Sequence, residues 1–462
     1  MIKKHILHFL KHKTMIKILF TVSLLICITA QAQKAVINDT TIIDKIITSY
    51  ADNHIFSGVV MIANKGKVVY SKGYGFAQYE NRVHNSEKTR FNIASISKSF
   101  TAAAILKLHE TNKLKLDDKV SKIFPLLPHT DSITIINLLK HSSGIPDIIR
   151  FPDFDVISKK NYGNTEQVLP IFLNKPLLFV PGKRQSYSNS NYILLAAIIE
   201  KVSRQSYSDF LEQNFFLELG MKETSVFTSR LIMPNRASGY SVTGASDYFP
   251  SDFVNYSIVI GASSIFTTAN DLIRWTSIFK STNLLSSTSL SLLNGTNGEA
   301  IAWRVDTLQS HLRLSANGWD GYGFSANISY FIDSDISIAV LGNLNISNST
   351  EKIQAAIAEY IFTGITSVFS PINLPALSLP QYIGTYQLGN DFYVSNLKLE
   401  FIVENDYVQE LQSNGNIVAL LPLGTDIFMH RSSGAYIKFK RNNDGIVDGL
   451  NFFGQFDAKK ID

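Results

Sequence analysis

The chain has 462 residues, 45% of them hydrophobic and 18% charged, with no acidic or basic tail. That composition belongs to a globular protein with room for two domains and excludes a disordered chain. The formal charge of +5 is carried before Gln33, where Lys3, Lys4, Lys11, Lys13 and Lys17 stand without a single acid; without them the charge is zero, which argues against nucleic acid as a partner.

Those lysines precede an apolar run over residues 18–28 and then Ala30-Gln31-Ala32, the parts of a secretory signal. The run is shorter than the roughly 20 residues a membrane-spanning helix needs. Cleavage is expected after Ala32, which predicts a periplasmic or secreted protein with no membrane association once the signal is removed. Met15 would give a more usual signal length than Met1. The sole cysteine, Cys27, lies inside the run, and Leu24-Leu25-Ile26-Cys27 makes a poor lipoprotein box because Ile26 is bulky. The mature chain therefore has no disulfide, no cysteine nucleophile and no Cys-ligated metal, and no cofactor is called for.

The mature chain opens with two β-rich runs, GVVMIA and VVYSKGYG, flanking Asn64-Lys65-Gly66-Lys67, a hairpin signal. Next comes FNIASISKSFTAAAILKLHE, residues 91–110. Here Ile96, Phe100, Ala103, Ala104, Lys107 and Leu108 step at three and four residues, predicting a helix with one buried stripe. At its start Ser95 and Lys98 lie three apart and share a face. A serine hydroxyl becomes a good nucleophile only when a base takes its proton, and a lysine in an apolar, electropositive pocket can serve. Free N–H groups of the first turn could hold a developing oxyanion. The spacing is cheap, since Ser349…Lys352 and Ser395…Lys398 repeat it; Ser349 reads instead as the cap of a helix, with Glu351 and Lys352 solvated in its first turn.

Pro181-Gly182 marks a turn, and residues 193–202 read as a buried helix. Thr267-Thr268-Ala269-Asn270-Asp271 resembles a capping box. FSANISYFI and ISIAVLGNL are strand-like runs joined through Asp333-Ser334-Asp335, and residues 349–362 close with a helix. Strands at both ends with helices between predict an α+β domain whose sheet pairs its N- and C-terminal strands. Prolines 371, 375 and 380 mark a boundary. Beyond it YIGTYQL, FYVSNLKLEFIVE, YVQELQ, IVALLPL, DIFMHR, AYIKFKR and IVDGLNFF alternate like a small antiparallel barrel. The predicted division is signal 1–32, first domain 33–366, linker 367–379 and barrel 380–462.

Tyr187-Ser188-Asn189 is the second constellation: in an extended segment Tyr187 and Asn189 point the same way. A tyrosine near a lysine ammonium could shuttle the serine's proton. Alone the pattern is weak, because Tyr79-Glu80-Asn81 and Tyr162-Gly163-Asn164 match it too.

Taken in order, FNIASISKSFTA, ITIINLLKHSSGIPD, FVPGKRQSYSNSNYILLAAIIE, LGMKET, GASSIFTTANDLIRW and GFSANISYF resemble the serine β-lactamase-related family of class C β-lactamases, D,D-peptidases, D-aminopeptidases and family VIII esterases, over residues 42–363. The resemblance implies a β-lactamase/transpeptidase-like fold, an antiparallel sheet with helices on its faces and an all-helical part, followed by a lipocalin-like barrel. It implies Ser95 as the acylated nucleophile, Lys98 as its base or base partner, Tyr187 as the second proton-transfer group and Asn189 as a ligand of lysine and substrate. His141 matches a structural position, a hydrogen-bonded helix end.

The third family motif, Lys-Thr-Gly or His-x-Gly on a strand beside the nucleophile, is where the chain departs. The matching stretch aligns Ala316-Asn317-Gly318, with Asn317 at the first position if the alignment slips by one, and Trp319-Asp320-Gly321 fits the Trp-x-Gly of some esterases of the family. His311 lies five residues too early. Without a Lys or His there, a substrate carboxylate loses a charge-assisted hydrogen bond, whereas Trp319 can still lend a backbone N–H. The implied activity is a secreted serine hydrolase acting through an acyl-enzyme on an ester or amide, of esterase, D-aminopeptidase or D,D-peptidase type, with weak β-lactamase activity at most. The alternative is a non-catalytic peptidoglycan- or peptide-binding protein on the same fold. The partner in either case is a small molecule or peptide.

Overall fold

A computed structural model describes residues 39–281, 283–295, 301–390 and 396–461. The signal segment with Cys27, and Phe392 to Ser395 of the second barrel run, lie outside the described residues.

Helix α1 (Thr40–Asp52) leads into β1 (Gly58–Asn64) and β2 (Lys67–Tyr74), joined at Lys65-Gly66, both at positive φ as the hairpin signal requires. The central helix α2 (Ser97–Glu110) follows, then α3 (Ile135–Leu139) and α4 (Asn189–Ser203). Strands β3 (Arg304–Leu308), β4 (His311–Trp319), β5 (Ser325–Phe331) and β6 (Ile336–Gly342) complete a six-stranded sheet ordered β3-β4-β5-β6-β1-β2. The N-terminal hairpin joins the C-terminal strands through β1 and β6, antiparallel from Gly58↔Gly342 to Asn64↔Ile336. Helix α5 (Ser349–Thr363) closes this part.

Alternation along β1 shows how the sheet separates two cores. Val59 and Met61 join the larger core with α2 and α4; Val60 and Ile62 join a second with Ile43, Ile47, Ile353 and Ile357 of the terminal helices. Strands β5 and β6 are buried throughout because helices cover both their faces.

The central helix departs from the single-stripe expectation. Every residue from Ser97 to Leu108 except Lys107 is buried. Phe100 stacks on Trp275 with ring centroids 3.9 Å apart, while Thr101 Oγ1 hydrogen-bonds Tyr207 OH at 2.6 Å and the Gly261 carbonyl at 2.7 Å. Helix and sheet neighbours enclose α2 on all sides, so its small residues mark close packing rather than a solvent face.

Residues 384–460 form a closed barrel, β7 (Gly384–Leu388), β8 (Lys398–Glu404), β9 (Tyr407–Leu411), β10 (Ile417–Gly424), β11 (Ile427–His430), β12 (Tyr436–Arg441), β13 (Val447–Phe452) and β14 (Phe456–Lys460), each paired with the next and the last with the first. Tyr382, Tyr386, Phe401, Phe428 and Phe439 fill it edge to face. Its Ala419, Leu421 and Met429 belong to the second core of the α+β part, so the two parts share buried surface.

Candidate functional site

Ser95 sits in a one-turn 3₁₀ segment, Ala94–Ile96, at the mouth of α2. The turn is forced: Ala94 has φ of 45°, and Asn92 Oδ1 accepts the Ala94 N–H at 2.6 Å to hold it. A non-glycine residue in the left-handed region beside a reactive side chain is strain that the surrounding packing sustains.

Lys98 Nζ donates to Ser95 Oγ at 2.9 Å, to Asn189 Oδ1 at 2.8 Å and to the Ala262 carbonyl at 2.9 Å. Its three bonds fix the ammonium, which is 3% exposed. Tyr187 OH lies 2.7 Å from Ser95 Oγ, and Lys98 Nζ lies 5.0 Å from the Tyr187 ring centroid. One hydroxyl is thus shared between an amine and a phenol, an arrangement able to take a proton from the serine and pass it on.

Asn189 is buried, and both ends of its amide are taken. Its Nδ2 meets the two Asp147 oxygens at 3.2 Å each while Oδ1 faces Lys98. The Asp147 carboxylate also accepts the Asn189 backbone N–H at 3.0 Å, doing at the start of α4 what Ser188, the residue before it, does not do as a cap. Burial pushes the Asp147 carboxyl up, against these hydrogen bonds and Lys98. Asp147 was not singled out from sequence; its only signal was an acid ending the ITIINLLKHSSGIPD stretch. It orients the amide so that oxygen rather than nitrogen meets the lysine.

His141 follows α3 at φ of 54°. Its Nδ1 accepts the Ser188 N–H at 3.2 Å, and its ring lies 4.5 Å from that of Tyr187. Burial first, and then Lys98, push its pKa down to about 3, so it packs against Tyr187 as a neutral ring.

Strand β4 forms the opposite wall. Ser95, Lys98, Tyr187, Ala316, Asn317, Gly318 and Trp319 all line one cleft of about 580 Å³. Gly318 permits the approach: a Cβ there would stand 2.4 Å from the Ile93 carbonyl oxygen and 2.9 Å from Ser95 N. Trp319 Nε1 donates to Asn345 Oδ1 at 2.6 Å, and the half-buried Asp320 accepts from Tyr256 OH at 2.7 Å and from the Tyr322 and Phe324 N–H groups. His311 is at the far end of the strand, paired with Asp333.

Strand β4 brings no Lys or His to the cleft, yet the cleft has cations. Arg304 and Lys140 both line it, Arg304 from β3, opposite Ser315. The third motif thus lacks its cation as expected, but the cleft as a whole does not: Arg304 enters from a neighbouring strand that no motif marks. Arg304 contacts Asp306 at 3.1 Å and Glu351 at 3.4 Å, and Glu351 also accepts from Asn317 Nδ2 at 3.4 Å. Reading Ser349 as a helix cap is corrected too. Asn348 precedes the helix, Ser349 Oγ bonds back to the Ile346 carbonyl, and Glu351 and Lys352 have partners, the latter lying 3.6 Å from the Tyr436 ring centroid.

A mixed sheet-and-helix domain with a serine at the mouth of its central helix, a lysine one turn on and a tyrosine across the cleft defines the β-lactamase/transpeptidase-like class of serine hydrolases. The comparisons agree. The family model described as Beta-lactamase matches residues 43–360, and the chain belongs to that family as one of its serine hydrolases. Penicillin-binding protein 4* of Bacillus subtilis (strain 168) is 30% identical over 339 residues, which cover 68% of this chain and 74% of that one. Protein flp of Staphylococcus aureus (strain NCTC 8325 / PS 47) is 32% identical over 307 residues, 63% of this chain, and the chain spans 60% of that relative's length. The octameric penicillin-binding protein homologue from Pyrococcus abyssi superposes with a TM-score of 0.62 at 23% identity, covering 91% of this chain and 99% of its own; that likeness concerns the fold and takes in the barrel.

Proposed function

We propose that the protein is a secreted hydrolase that cleaves an ester or amide through an acyl-enzyme on Ser95. The observation that carries this is the three-way contact of Ser95 Oγ with Lys98 Nζ at 2.9 Å and Tyr187 OH at 2.7 Å. As Ser95 Oγ attacks the carbonyl carbon, its proton passes to the Lys98–Tyr187 pair. The oxyanion is met by the backbone N–H groups of Ser95 and Trp319. On collapse the pair returns the proton to the leaving alcohol or amine, and water attacking the acyl carbon reverses the sequence. Asn189 and Asp147 hold Lys98 in register throughout.

Substrate choice turns on the wall formed by β4. Arg304 is already neutralised by Asp306 and Glu351, so a substrate carboxylate must compete with them. Small neutral acyl esters and amides are the favoured class, and β-lactams are weak substrates. The basic and apolar segment before Gln33 supports a periplasmic or secreted location. A fluorophosphonate probe should label the wild-type protein, and Ser95→Ala should abolish labelling and lower ester turnover by roughly four orders of magnitude or more. Wild-type turnover in a Ser95→Ala preparation free of contaminating esterase would overturn the assignment.

A further inference from the structure

Residues 345–352 link the barrel to the cleft. On its cleft side Asn345 holds the Trp319 indole at 2.6 Å and the Gly321 carbonyl at 2.8 Å, and Glu351 contacts Arg304 and Asn317. On its other side the same stretch is bound to the barrel turn between β11 and β12. The Ser347 N–H donates to the Ser432 carbonyl at 3.1 Å, Ser347 Oγ and Asn348 Nδ2 donate to the Ser433 carbonyl at 2.8 and 2.9 Å, and Lys352 sits over Tyr436. Gly434 lets the turn approach, since a Cβ there would lie 3.2 Å from Asn348 Cβ.

The barrel turn is itself anchored. Arg431 is fully buried, and its guanidinium donates to the carbonyls of Thr243, Gly244, Asp247 and His54 in the hydrolase part at 2.6 to 3.3 Å. Its Nη1 and Nη2 donors go to four backbone carbonyls, and stripping a buried guanidinium of such partners costs several kcal/mol, so this contact holds one geometry. His430 is 4% exposed and fixes the turn from inside, its Nδ1 accepting the Ser433 N–H at 3.2 Å and its Nε2 facing Glu410 at 2.7 Å. Asn348 makes no cap to its own helix, and its side chain goes to the barrel instead.

The geometry points to a positioning role for the barrel: its turn 431–435 and the adjoining Tyr436 set the place of Trp319, Arg304 and Asn317 in the cleft, through residues 345–352. This rests on the proposed hydrolase reading for its kinetic readout but not for its structural one. Tyr436→Ala and the double variant Ser347→Ala/Asn348→Ala remove the bracket from opposite sides without touching a cleft residue. In the full-length protein each should lower ester kcat by about threefold to tenfold per fluorophosphonate-labelled serine, because a small displacement of Trp319 weakens an oxyanion contact that needs ångström accuracy. Normalising to labelled serine separates this from a loss of folded protein, which reduces labelling and leaves the normalised kcat unchanged. Arg441→Ala, which breaks a pair with Asp426 on the barrel, serves as the control and should leave kcat unaltered.

A second readout needs no catalysis. Of the three tryptophans, Trp275 and Trp303 are buried and Trp319 is 50% exposed, so acrylamide quenching reports on Trp319. Quenching should steepen in both bracket variants and, in a Trp319→Phe background, show no difference between them and the parent. Unchanged quenching together with unchanged normalised kcat would overturn the inference. Altered quenching in a protein that no serine probe labels would uphold it while refuting the hydrolase reading.

Discussion

Gly318→Ala puts the closest contact in the cleft to a direct test. The added methyl carbon would fall 2.4 Å from the Ile93 carbonyl oxygen, 2.9 Å from Ala94 Cβ and 2.9 Å from Ser95 N. Two of those three atoms are backbone in a turn already strained at Ala94, so no side chain can swing aside. Relief to an ordinary contact near 3.4 Å requires β4 and the Ser95 turn to separate by about 1 Å, and a shift of that size at a reacting centre costs about a hundredfold in rate. The stability cost of the overpacking should be about 1–3 kcal/mol. The variant should therefore remain folded, label slowly with fluorophosphonate and hydrolyse a neutral ester with kcat reduced by about two orders of magnitude. Thermal unfolding, labelling stoichiometry and steady-state kinetics on one preparation suffice. A variant with full stability and kcat within a factor of two of wild type would refute the reasoning, because β4 could then not be the wall that abuts the nucleophile.

Lys98→Ala and Tyr187→Phe should each lower ester turnover severely, and the double variant should be little worse than the weaker single, since both handle one proton; fully multiplicative losses would show that they act separately. Arg304→Ala should lower kcat/KM for a cephalosporin by about tenfold relative to a neutral ester, the scale of one charge-assisted hydrogen bond, and an unchanged ratio would leave Lys140 as the cation that matters. The depressed pKa of His141 makes stability pH-dependent. Its folded value of about 3 lies below the ordinary 6.5, so the unfolded chain binds the extra proton first; the contribution is present above pH 6.5 and drains away as pH falls toward 3. His141→Gln should flatten that part of the stability profile, by a few kcal/mol in all, and an unaltered acid limb in chemical denaturation would count against a neutral His141.

Much of the architecture is local in origin and could be read from the chain. The Lys65-Gly66 hairpin, the Thr268 cap, whose side chain accepts the Asp271 N–H, and the alternating barrel strands each rest on a few adjacent residues. The pairing of β1 with β6 was also legible, because the apolar runs stand at the two ends of the domain. Ser95 and Lys98 are one helical turn apart, so their meeting needs nothing beyond the start of α2. The Tyr187 motif was visible too, but its contact with Ser95 spans 92 positions and follows only from the packing of α4 against α2.

Other features left no trace a period or spacing could reveal. Asp147 turns the Asn189 amide toward Lys98, the Ala262 carbonyl completes the lysine's shell, and Arg304 enters from the strand beside the one where a cation was sought. The apparent stripe on α2 misled for a related reason: periodicity reports a helix with one wet face, and this helix has none. Glu351 and Lys352 looked solvated because their partners lie on β3 and β4 and in the barrel. Backbone propensity and hydrophobic patterning act over a few residues, while hydrogen-bond partners, charge neutralisation and close approach depend on which distant segments the cores bring together.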